Sequence, residues 1–335
     1  MPLLSNFFTT EPFDMMSLTE SVGKLPIVEN MIGEMELFAG RGIETDIITI
    51  DETDGVLKIN QSRERGSEAG RGKVKTKRKA RLLKIPHFEE EDRITASELQ
   101  GVRATGEINL ISAVSEVNDR LAFMKQQMEH TWEVHRLNAL KGILKDADDT
   151  TIFDYFSEFE VSQDTVNFDF GTASTDVRNV AIQTVRNIED NLGGVPHRGA
   201  QALVGRDFFD ELVGHPEVKE TFKRQSETTN RADLRKGFVF GDVMWTEYRG
   251  FRGLTPDVGT IDDAEGFMFP LGVPGMFRIV WGPGDFLETV NQIGQPMIAK
   301  TAPDLKWNKF VDVLVESNSL YLNTRPNAVI KLTKT

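Results

Sequence analysis

The stretch of sequence that decides the fold is residues 107–145, EINLISAVSEVNDRLAFMKQQMEHTWEVHRLNALKGILK. It contains no proline, and its buried-type side chains recur at steps of three and four residues or their sums: Ile108, Ile111, Val114, Leu121, Met124, Met128, His135 and Ala139. This spacing predicts an amphipathic helix, with Thr105 as N-cap and Lys141 and Lys145 at the negative end of the helix dipole. At about 1.5 Å per residue such a helix exceeds about 50 Å, so we expect a spine that crosses a domain.

A basic segment lies upstream of this helix, between two predicted strands. The first strand pattern is IETDIITIDETDGVLKIN (residues 43–60), which contains Asp54-Gly55, a dipeptide favoured in tight hairpin turns, and the second is ARLLKIP (80–86). Residues 63–84 carry Arg63, Arg65, Arg71, Lys73, Lys75, Lys77, Arg78, Lys79, Arg81 and Lys84 against Glu64 and Glu68. That segment is therefore +8, which leaves −21 for the rest of a chain whose formal charge is −13.

The basic segment has almost no apolar residue before Leu82, so it predicts an exposed, extended loop. The whole excursion of about forty residues is longer than ordinary connections and is therefore expected to be functional. Its charge leaves three interpretations open: an arm that binds nucleic acid, a contact with an acidic partner, or a solvated loop without a partner.

The remaining patterns predict a mixture of helices and strands. Residues 1–45 are expected to be irregular, because Pro2, Pro12 and Pro26 break up short apolar pieces. TIFDYFSEFEVSQDTVNFDF (151–170) alternates aromatic and polar residues and predicts a β-hairpin, whereas TDVRNVAIQTVRNIEDNLGG (175–194) predicts a helix closed by two glycines. Short elements in α/β alternation follow, and two further strands are predicted near the C-terminus.

Composition excludes several classes of protein. The chain has 335 residues, 39% hydrophobic and 27% charged, which is typical of a folded protein. No apolar run reaches about 18 residues, so no membrane span is predicted, and the acidic start argues against a signal peptide. Zero cysteines exclude disulfides and thiolate metal sites. A net charge of −13 argues against a dedicated DNA-binding protein.

No motif indicates catalysis, a metal or a cofactor. His130 and His135 are five residues apart, whereas a helical zinc pair needs a spacing of four. The glycine-rich stretch before Val74 lacks the pattern of a phosphate-binding loop, and no Gly-x-Ser-x-Gly is present. Residues 89–92, EEED, are expected to form a solvated acidic turn rather than a metal site. We therefore predict no enzymatic activity.

Several longer stretches resemble the lambda-type major head proteins of tailed bacteriophages. The resemblance is strongest in FMFPLGVPGMFR (267–278), ETVNQIGQPMIAK (288–300) and VLVESNSLYLNTRPNAVIKL (313–332). It extends to residues 37–70, 79–101, 215–225 and 238–250, in the same order along the chain. One departure is Ser319, where the family pattern leads us to expect proline.

The resemblance implies an α+β fold of the Hong Kong phage type. Its expected parts are an N-terminal arm (1–45), an extended β-hairpin loop (46–88), a peripheral domain with the spine helix (89–190 and 300–335) and an axial domain (191–300). It also implies a structural function: pentamers and hexamers that close into an icosahedral head around double-stranded DNA, assembled in the host cytoplasm and found in the virion.

The family arrangement lays the extended loop over a neighbouring subunit, and this favours the subunit-contact interpretation of the basic segment. We therefore predict that Arg63, Arg65, Arg71, Lys73, Lys75, Lys77, Arg78, Lys79 and Arg81 contact a neighbour. Relatives bend the spine when the shell expands, so we predict flexing at Asn118, Asp119 and Gly142.

The arm and the loop account for all residues before the spine, so we expect no large N-terminal scaffold to be removed. A separate scaffolding protein and a portal are the expected partners, and the presence of a decoration protein stays open. DNA is expected to be enclosed without sequence-specific binding, and no membrane is expected. Two alternatives stay open: an encapsulin-type nanocompartment, and a nucleic-acid-binding protein acting through the basic segment.

Overall fold

The computed structural model describes residues 14–24, 30–53, 78–101, 109–172, 174–224, 234–250 and 258–334. Its N-terminal part contains α1 (Met15–Lys24), α2 (Met31–Glu34), β1 (Ala39–Gly42), β2 (Ile47–Thr53), β3 (Arg78–Lys84), β4 (Phe88–Thr95), α3 (Ala96–Gly101) and α4 (Asn109–Lys141). The middle part contains β5 (Ile143–Lys145), β6 (Thr151–Asp154), α5 (Tyr155–Phe159), β7 (Thr165–Asn167), α6 (Val177–Leu192), β8 (Ala200–Val204), α7 (Arg206–Gly214) and α8 (Pro216–Arg224). The C-terminal part contains β9 (Phe238–Phe240), β10 (Val243–Glu247), β11 (Glu265–Pro270), β12 (Phe277–Trp281), β13 (Ile298–Pro303), β14 (Phe310–Ser317), β15 (Ser319–Asn323) and β16 (Ile330–Thr333).

A six-stranded mixed sheet has the order β7-β16-β11-β8-β10-β9. The pairs β8/β10 and β7/β16 are parallel, and the others are antiparallel. Its core stacks the indole of Trp245 on the ring of Phe208, with Phe168 at right angles to the indole. β7 and β16 come from the range predicted for the peripheral domain, whereas the four other strands come from the range predicted for the axial domain, so both ranges share one sheet.

Two three-stranded sheets form the rest of the framework. One has the order β13-β14-β4, and α1 and α4 cover it through Leu18, Val22, Leu121 and Met124, which are almost fully buried. The other has the order β1-β12-β15 and combines strands that lie far apart in the sequence. Each sheet therefore depends on long-range pairing that local patterns do not reveal.

Helix α4 is the predicted spine, and it contributes to all three hydrophobic cores. Leu121, Met124 and Met128 pack under the β13-β14-β4 sheet. Ala139 packs with the core of the β1-β12-β15 sheet, and Leu137 and Leu140 pack with the core of the six-stranded sheet. Its 33 residues span roughly 50 Å at about 1.5 Å per residue.

The spine helix ends four residues earlier than predicted. It stops at Lys141 because Gly142 adopts a left-handed conformation with φ of 91°, and Ile143–Lys145 form β5 instead. Residues 102–108, including the predicted N-cap Thr105, lie outside the described residues.

Residues 151–170 do not form the predicted hairpin. The carboxylate of Asp154 accepts hydrogen bonds from the backbone N–H groups of Phe156 and Ser157 and so caps helix α5. β6 pairs with β5, and β7 pairs with β16. The Asp154 cap, and the pairing of β6 and β7 with strands outside this range, replace the predicted hairpin.

Three further predictions also need correction. Residues 14–45 are not irregular throughout, because Leu18 and Val22 give α1 a buried face. Residues 89–92 belong to strand β4 rather than to a turn. The region after Phe310 holds three strands, β14, β15 and β16, where two were predicted. The predicted helix at 175–194 is confirmed as α6, with Gly193 in the left-handed conformation after its last turn.

Candidate subunit-contact sites

The predicted extended loop begins and ends in a two-stranded antiparallel ladder. β2 pairs with β3 in a register that joins Ile47 to Lys84 and Thr53 to Arg78. Within the described residues, the partner of β2 is therefore the strand that ends the basic segment, and the predicted turn at Asp54-Gly55 lies outside the described residues. The long separation of the two paired strands is consistent with the predicted excursion.

The structure describes three of the nine predicted contact residues. Arg78, Lys79 and Arg81 lie in β3, and the guanidinium of Arg81 sits 5.3 Å from the centroid of the Phe159 ring in the same chain. Arg63, Arg65, Arg71, Lys73, Lys75 and Lys77 lie outside the described residues. Next to Arg81, Leu82 is 70% exposed while Leu83 is buried, so one face of the ladder packs on the body and the other is open.

An acidic strand offers a surface of the opposite charge. β4 carries Glu89, Glu90, Glu91 and Asp92 in succession and lies at the edge of the β13-β14-β4 sheet. Glu89 and Glu91 are exposed, whereas Glu90 and Asp92 are half-buried. Burial, together with the neighbouring Asp92, raises the pKa of Glu90. Charged side chains at a sheet edge also discourage unwanted strand pairing.

Arg120 ties the predicted flexing region of α4 to this acidic strand. Its guanidinium lies 2.8 Å from the carboxylate of Asp92 and 3.1 Å from that of Glu116, with Glu98 of α3 at 3.8 Å. The hydrogen bond to Glu116 and the charge of Asp92 raise the pKa of Arg120 against the effect of burial. Asn118 is half-buried and Asp119 exposed just before this anchor.

Gly142 lies at the junction between α4 and β5 rather than inside the helix. Its φ of 91° belongs to the left-handed region, and a Cβ at this position would overlap the Phe156 ring. Any flexing at Gly142 therefore moves the helix end relative to β5, whereas flexing at Asn118 and Asp119 bends the helix itself.

A buried polar stripe on α4, which the sequence analysis missed, holds the N-terminal segment. The ammonium of Lys125 donates to the carbonyl of Val22 at 2.9 Å. One turn further on, the side-chain amide of Asn30 donates to the carbonyl of Glu129 at 3.3 Å. The carboxylate of Glu133 then accepts from the backbone N–H groups of Ile32 at 2.6 Å and Gly33 at 3.1 Å.

Burial raises the pKa of Glu133, although the two backbone N–H groups and Arg136 act in the opposite direction. Polar residues at positions 125, 129 and 133 lie on one side of the helix, since four-residue steps keep one face. That spacing places the three residues on one face, but a charged face of a helix is normally solvated, so the pattern alone did not indicate a packed surface.

The histidines take structural positions. His135 is almost fully buried between the rings of Phe88 and Tyr321, and burial lowers its pKa to about 4. His197 lies within hydrogen-bond distance of the carboxylate of Glu189 and the carbonyl of Gly199. Across the seven described ranges, no three His, Asp or Glu side chains are arranged to hold a metal ion.

Comparison with known proteins identifies the family to which this fold belongs. The family model described as phage major capsid protein E matches residues 14–334, from α1 to the end of β16. The chain belongs to the phage major capsid protein E family. Its function is therefore that of a shell protein of a phage head, and its location is the capsid of the virion.

Curated relatives carry the same name. The chain is 25% identical to the major capsid protein of Pseudomonas phage KPP10 over 340 residues, covering 95% of this chain and 96% of that one. It is 26% identical to the major capsid protein of Salmonella phage Felix O1 over 321 residues, covering 85% and 86%. The predicted relation to phage major head proteins is thus confirmed, and the nanocompartment alternative is not better supported.

Solved structures show a similar fold. The mature capsid of bacteriophage PhiM1 matches with a TM-score of 0.53 at 13% identity, covering 92% of this chain and 88% of that one. The mixed helix and strand content of a capsid subunit is therefore confirmed. In the part of the chain that the structure describes, no helix is both long and apolar enough to cross a membrane.

Proposed function

We propose that the chain is the repeating subunit of pentamers and hexamers that close into an icosahedral head around double-stranded DNA. The subunit takes the Hong Kong phage-type fold, with arm 1–45, extended loop 46–88, peripheral domain 89–190 and 300–335, and axial domain 191–300. The observation that carries the proposal is the family match, because it runs over residues 14–334 without being confined to one motif. The role is structural, without catalysis.

A transient scaffolding protein and a portal complete the proposed assembly in the host cytoplasm, and the presence of a decoration protein stays open. A subunit with a net charge of −13 suits a container for DNA, since a basic inner wall would hold the genome and oppose its entry and release. DNA is thus enclosed without sequence-specific binding.

The basic loop serves contact between subunits. The +8 segment ends in β3 of the β2–β3 ladder, and the acidic edge strand β4 offers a surface of opposite sign on every copy. One exposed ion pair contributes only about 0–1 kcal/mol. Several pairs act together in each loop, and a closed shell repeats them many times, so their sum supports association.

The first experiment replaces Lys73, Lys75, Lys77, Arg78 and Lys79 by Gln in the full chain. We expect weaker association of capsomers in sedimentation velocity, with an unchanged far-UV circular dichroism spectrum of the subunit. The matched control makes the same change in charge outside the loop. It replaces five other basic residues by Gln: Arg41, Arg186, Arg206, Lys219 and Lys236. High salt should weaken the association of unmodified capsomers in the same way. Added ions shorten the range over which exposed charges attract each other to below about 8 Å, which is its value at physiological ionic strength.

Two outcomes would overturn this proposal, each at a different level. Normal shells of the Gln variant with less retained DNA would mean that the loop faces the genome, as in the nucleic-acid interpretation. Electron microscopy of the unmodified chain, produced with its scaffolding protein, tests the shell itself. Closed particles that contain an enzyme instead of DNA would favour a nanocompartment.

A further inference from the structure

The turn between β13 and β14, residues 304–309, presents two large apolar side chains to solvent. We call this turn the tip. Leu305 is 88% exposed and Trp307 is 67% exposed. Single exposed apolar residues are ordinary, but two on one short turn form a patch of the kind that marks an interaction surface, and tryptophan is enriched among residues that dominate binding energy.

The tip is held in one conformation by its own first residue. The carboxylate of Asp304 accepts from the backbone N–H groups of Lys306 at 2.9 Å, Trp307 at 3.2 Å and Lys309 at 3.4 Å. Although burial raises the pKa of Asp304, these backbone N–H groups outweigh it and hold that pKa below its usual value. A preorganised turn loses little conformational freedom on binding, so its exposed side chains are suited to docking.

A groove lies between α1 and the segment 283–295, and it has the complementary character. It encloses about 510 Å³ and is lined by Met15, Met16, Glu20, Gln292, Ile293 and Ile298, among others. Met16 is 75% exposed and Ile293 is 63% exposed, and the same segment also exposes Leu287 and Val290. Its size lies within the range of pockets that hold a small ligand or a few large side chains.

Formal charges of the two surfaces are opposite. Around the groove, residues 14–24 and 283–300 carry four acids and two lysines. Glu20 pairs with Lys24 at 2.7 Å and Glu288 pairs with Lys300 at 2.8 Å, so the net formal charge of −2 comes from Asp14 and Asp285. The tip carries Lys306 and Lys309, whose ammonium groups lie 5.7 Å and 5.9 Å from the centroid of the Trp307 ring, while the Asp304 carboxylate is occupied by backbone N–H groups. An aromatic and basic tip thus matches an apolar groove whose surroundings carry a net negative charge.

The tip and the groove of one chain lie at opposite ends of the same strand. Ile298 at the start of β13 lines the groove, and Pro303 at the end of β13 precedes the tip. At about 3.3 Å per residue the strand keeps them roughly 17 Å apart, so a chain cannot place its own tip in its own groove. Contact between them requires a second copy.

We propose that the tip of one copy, led by Leu305 and Trp307, docks into the groove between α1 and residues 283–295 of a neighbouring copy. This inference rests on the proposed function, since it requires an assembled shell. The contact joins two different surfaces, so it is head-to-tail and produces a ring when the rotation between copies closes.

Cross-linking tests the contact directly, because the natural chain has no cysteine. A tagged chain with Lys306→Cys, which keeps Leu305 and Trp307 on the tip, is co-expressed with an untagged chain with Ile293→Cys, and assembled particles are oxidised. We expect a disulfide-linked dimer at about ten times or more the yield obtained with Phe123→Cys as the partner, since docked sites have a high effective concentration. Phe123 is 57% exposed on α4 and lies outside the groove, which makes it the matched control.

The yield of particles assembled from a second variant tests the docking independently. Leu305→Ala with Trp307→Ala should lower the yield of assembled particles severalfold and leave the urea midpoint of the subunit unchanged, because both side chains are exposed. The matched control is Phe123→Ala.

The outcomes separate the inference from the proposed function. If unmodified chains assemble but the cross-link yield equals that of the Phe123→Cys control, the docking is wrong and the shell function stands. The same holds if Ile293→Cys cross-links to Phe8→Cys instead, which would assign the groove to residues 1–13. Reduced DNA content with normal assembly of the double Ala variant would assign the tip to the genome. Failure of the unmodified chain to assemble would overturn both.

Discussion

At the scale of single residues, Gly142 fixes where the spine helix ends. Replacing it by Ala forces a side chain into the left-handed region and against the Phe156 ring. We expect Gly142→Ala to lower the free energy of unfolding by about 1–3 kcal/mol. Urea denaturation followed by tryptophan fluorescence measures this change.

The matched control for that substitution is Gly214→Ala. Gly214 is the last residue of α7, and a Cβ built there meets nothing within 4 Å. This variant should be neutral or more stable by up to about 1 kcal/mol. Equal losses in the two variants would show that the conformation of Gly142 has no special role.

His135 makes the stability of the subunit depend on pH. Its pKa is about 4 in the folded chain because of burial, against 6.5 as the ordinary value. The unfolded chain therefore binds a proton at higher pH than the folded one, so the contribution is complete above pH 6.5 and is lost as the pH falls towards 4. At about 1.36 kcal/mol per pKa unit the loss approaches about 3 kcal/mol.

Comparison of His135→Leu with the unmodified chain isolates this effect from other groups that titrate between pH 4 and 6.5. The free energy of unfolding of the variant should fall less over that range. Parallel curves for the two chains, measured by urea unfolding at each pH, would show that His135 is not the group responsible.

At the scale of elements, α4 combines a fixed point with a weak one. Arg120 anchors the helix to β4 and α3, while Asn118 and Asp119 are poor helix formers directly before it. We predict that the helix bends here when the shell expands. Replacing both residues by Ala should stabilise this part of the helix by about 1 kcal/mol in total, because Ala has the higher helix propensity. The more stable helix should bend less and hinder expansion.

Electron microscopy of particles before and after expansion measures the curvature of α4 at residues 116–122. The prediction is wrong if the curvature is the same in both states. Lys145→Gln, on the strand beyond the helix, serves as a control that should expand normally. Because Gly142 lies outside α4, the predicted bending within the helix is confined to Asn118 and Asp119.

At the scale of the whole molecule, the sequence indicates some elements much better than their arrangement. The 3.6-residue period of α4 is visible because the helix buries Leu121, Met124 and Met128 on one stripe over many turns. Helix α6 is visible because Gly193 and Gly194 end it. Both features depend on neighbours in the sequence, and such features can be recognised from local patterns.

Features that depend on distant partners could not be predicted in the same way. β16 enters the six-stranded sheet beside β7, which precedes it by more than 160 residues. Helix α5 replaced the predicted hairpin because the Asp154 cap outweighs an aromatic alternation. For the candidate contact sites, charge arithmetic located the basic segment, but the buried stripe of Lys125, Glu129 and Glu133 became evident only when the N-terminal segment was seen beside it.

The presence of α4 in all three cores has a consequence for the exchange of backbone amide hydrogens with solvent. An amide in a region that opens on its own exchanges through that local opening, whereas one shared by all cores exchanges only when the whole subunit opens. The amides of residues 124–140 should therefore be the slowest to take up deuterium, with α1 and the β2–β3 ladder faster by orders of magnitude. A subunit built in this way has a single unit of highest protection in the C-terminal half of the helix.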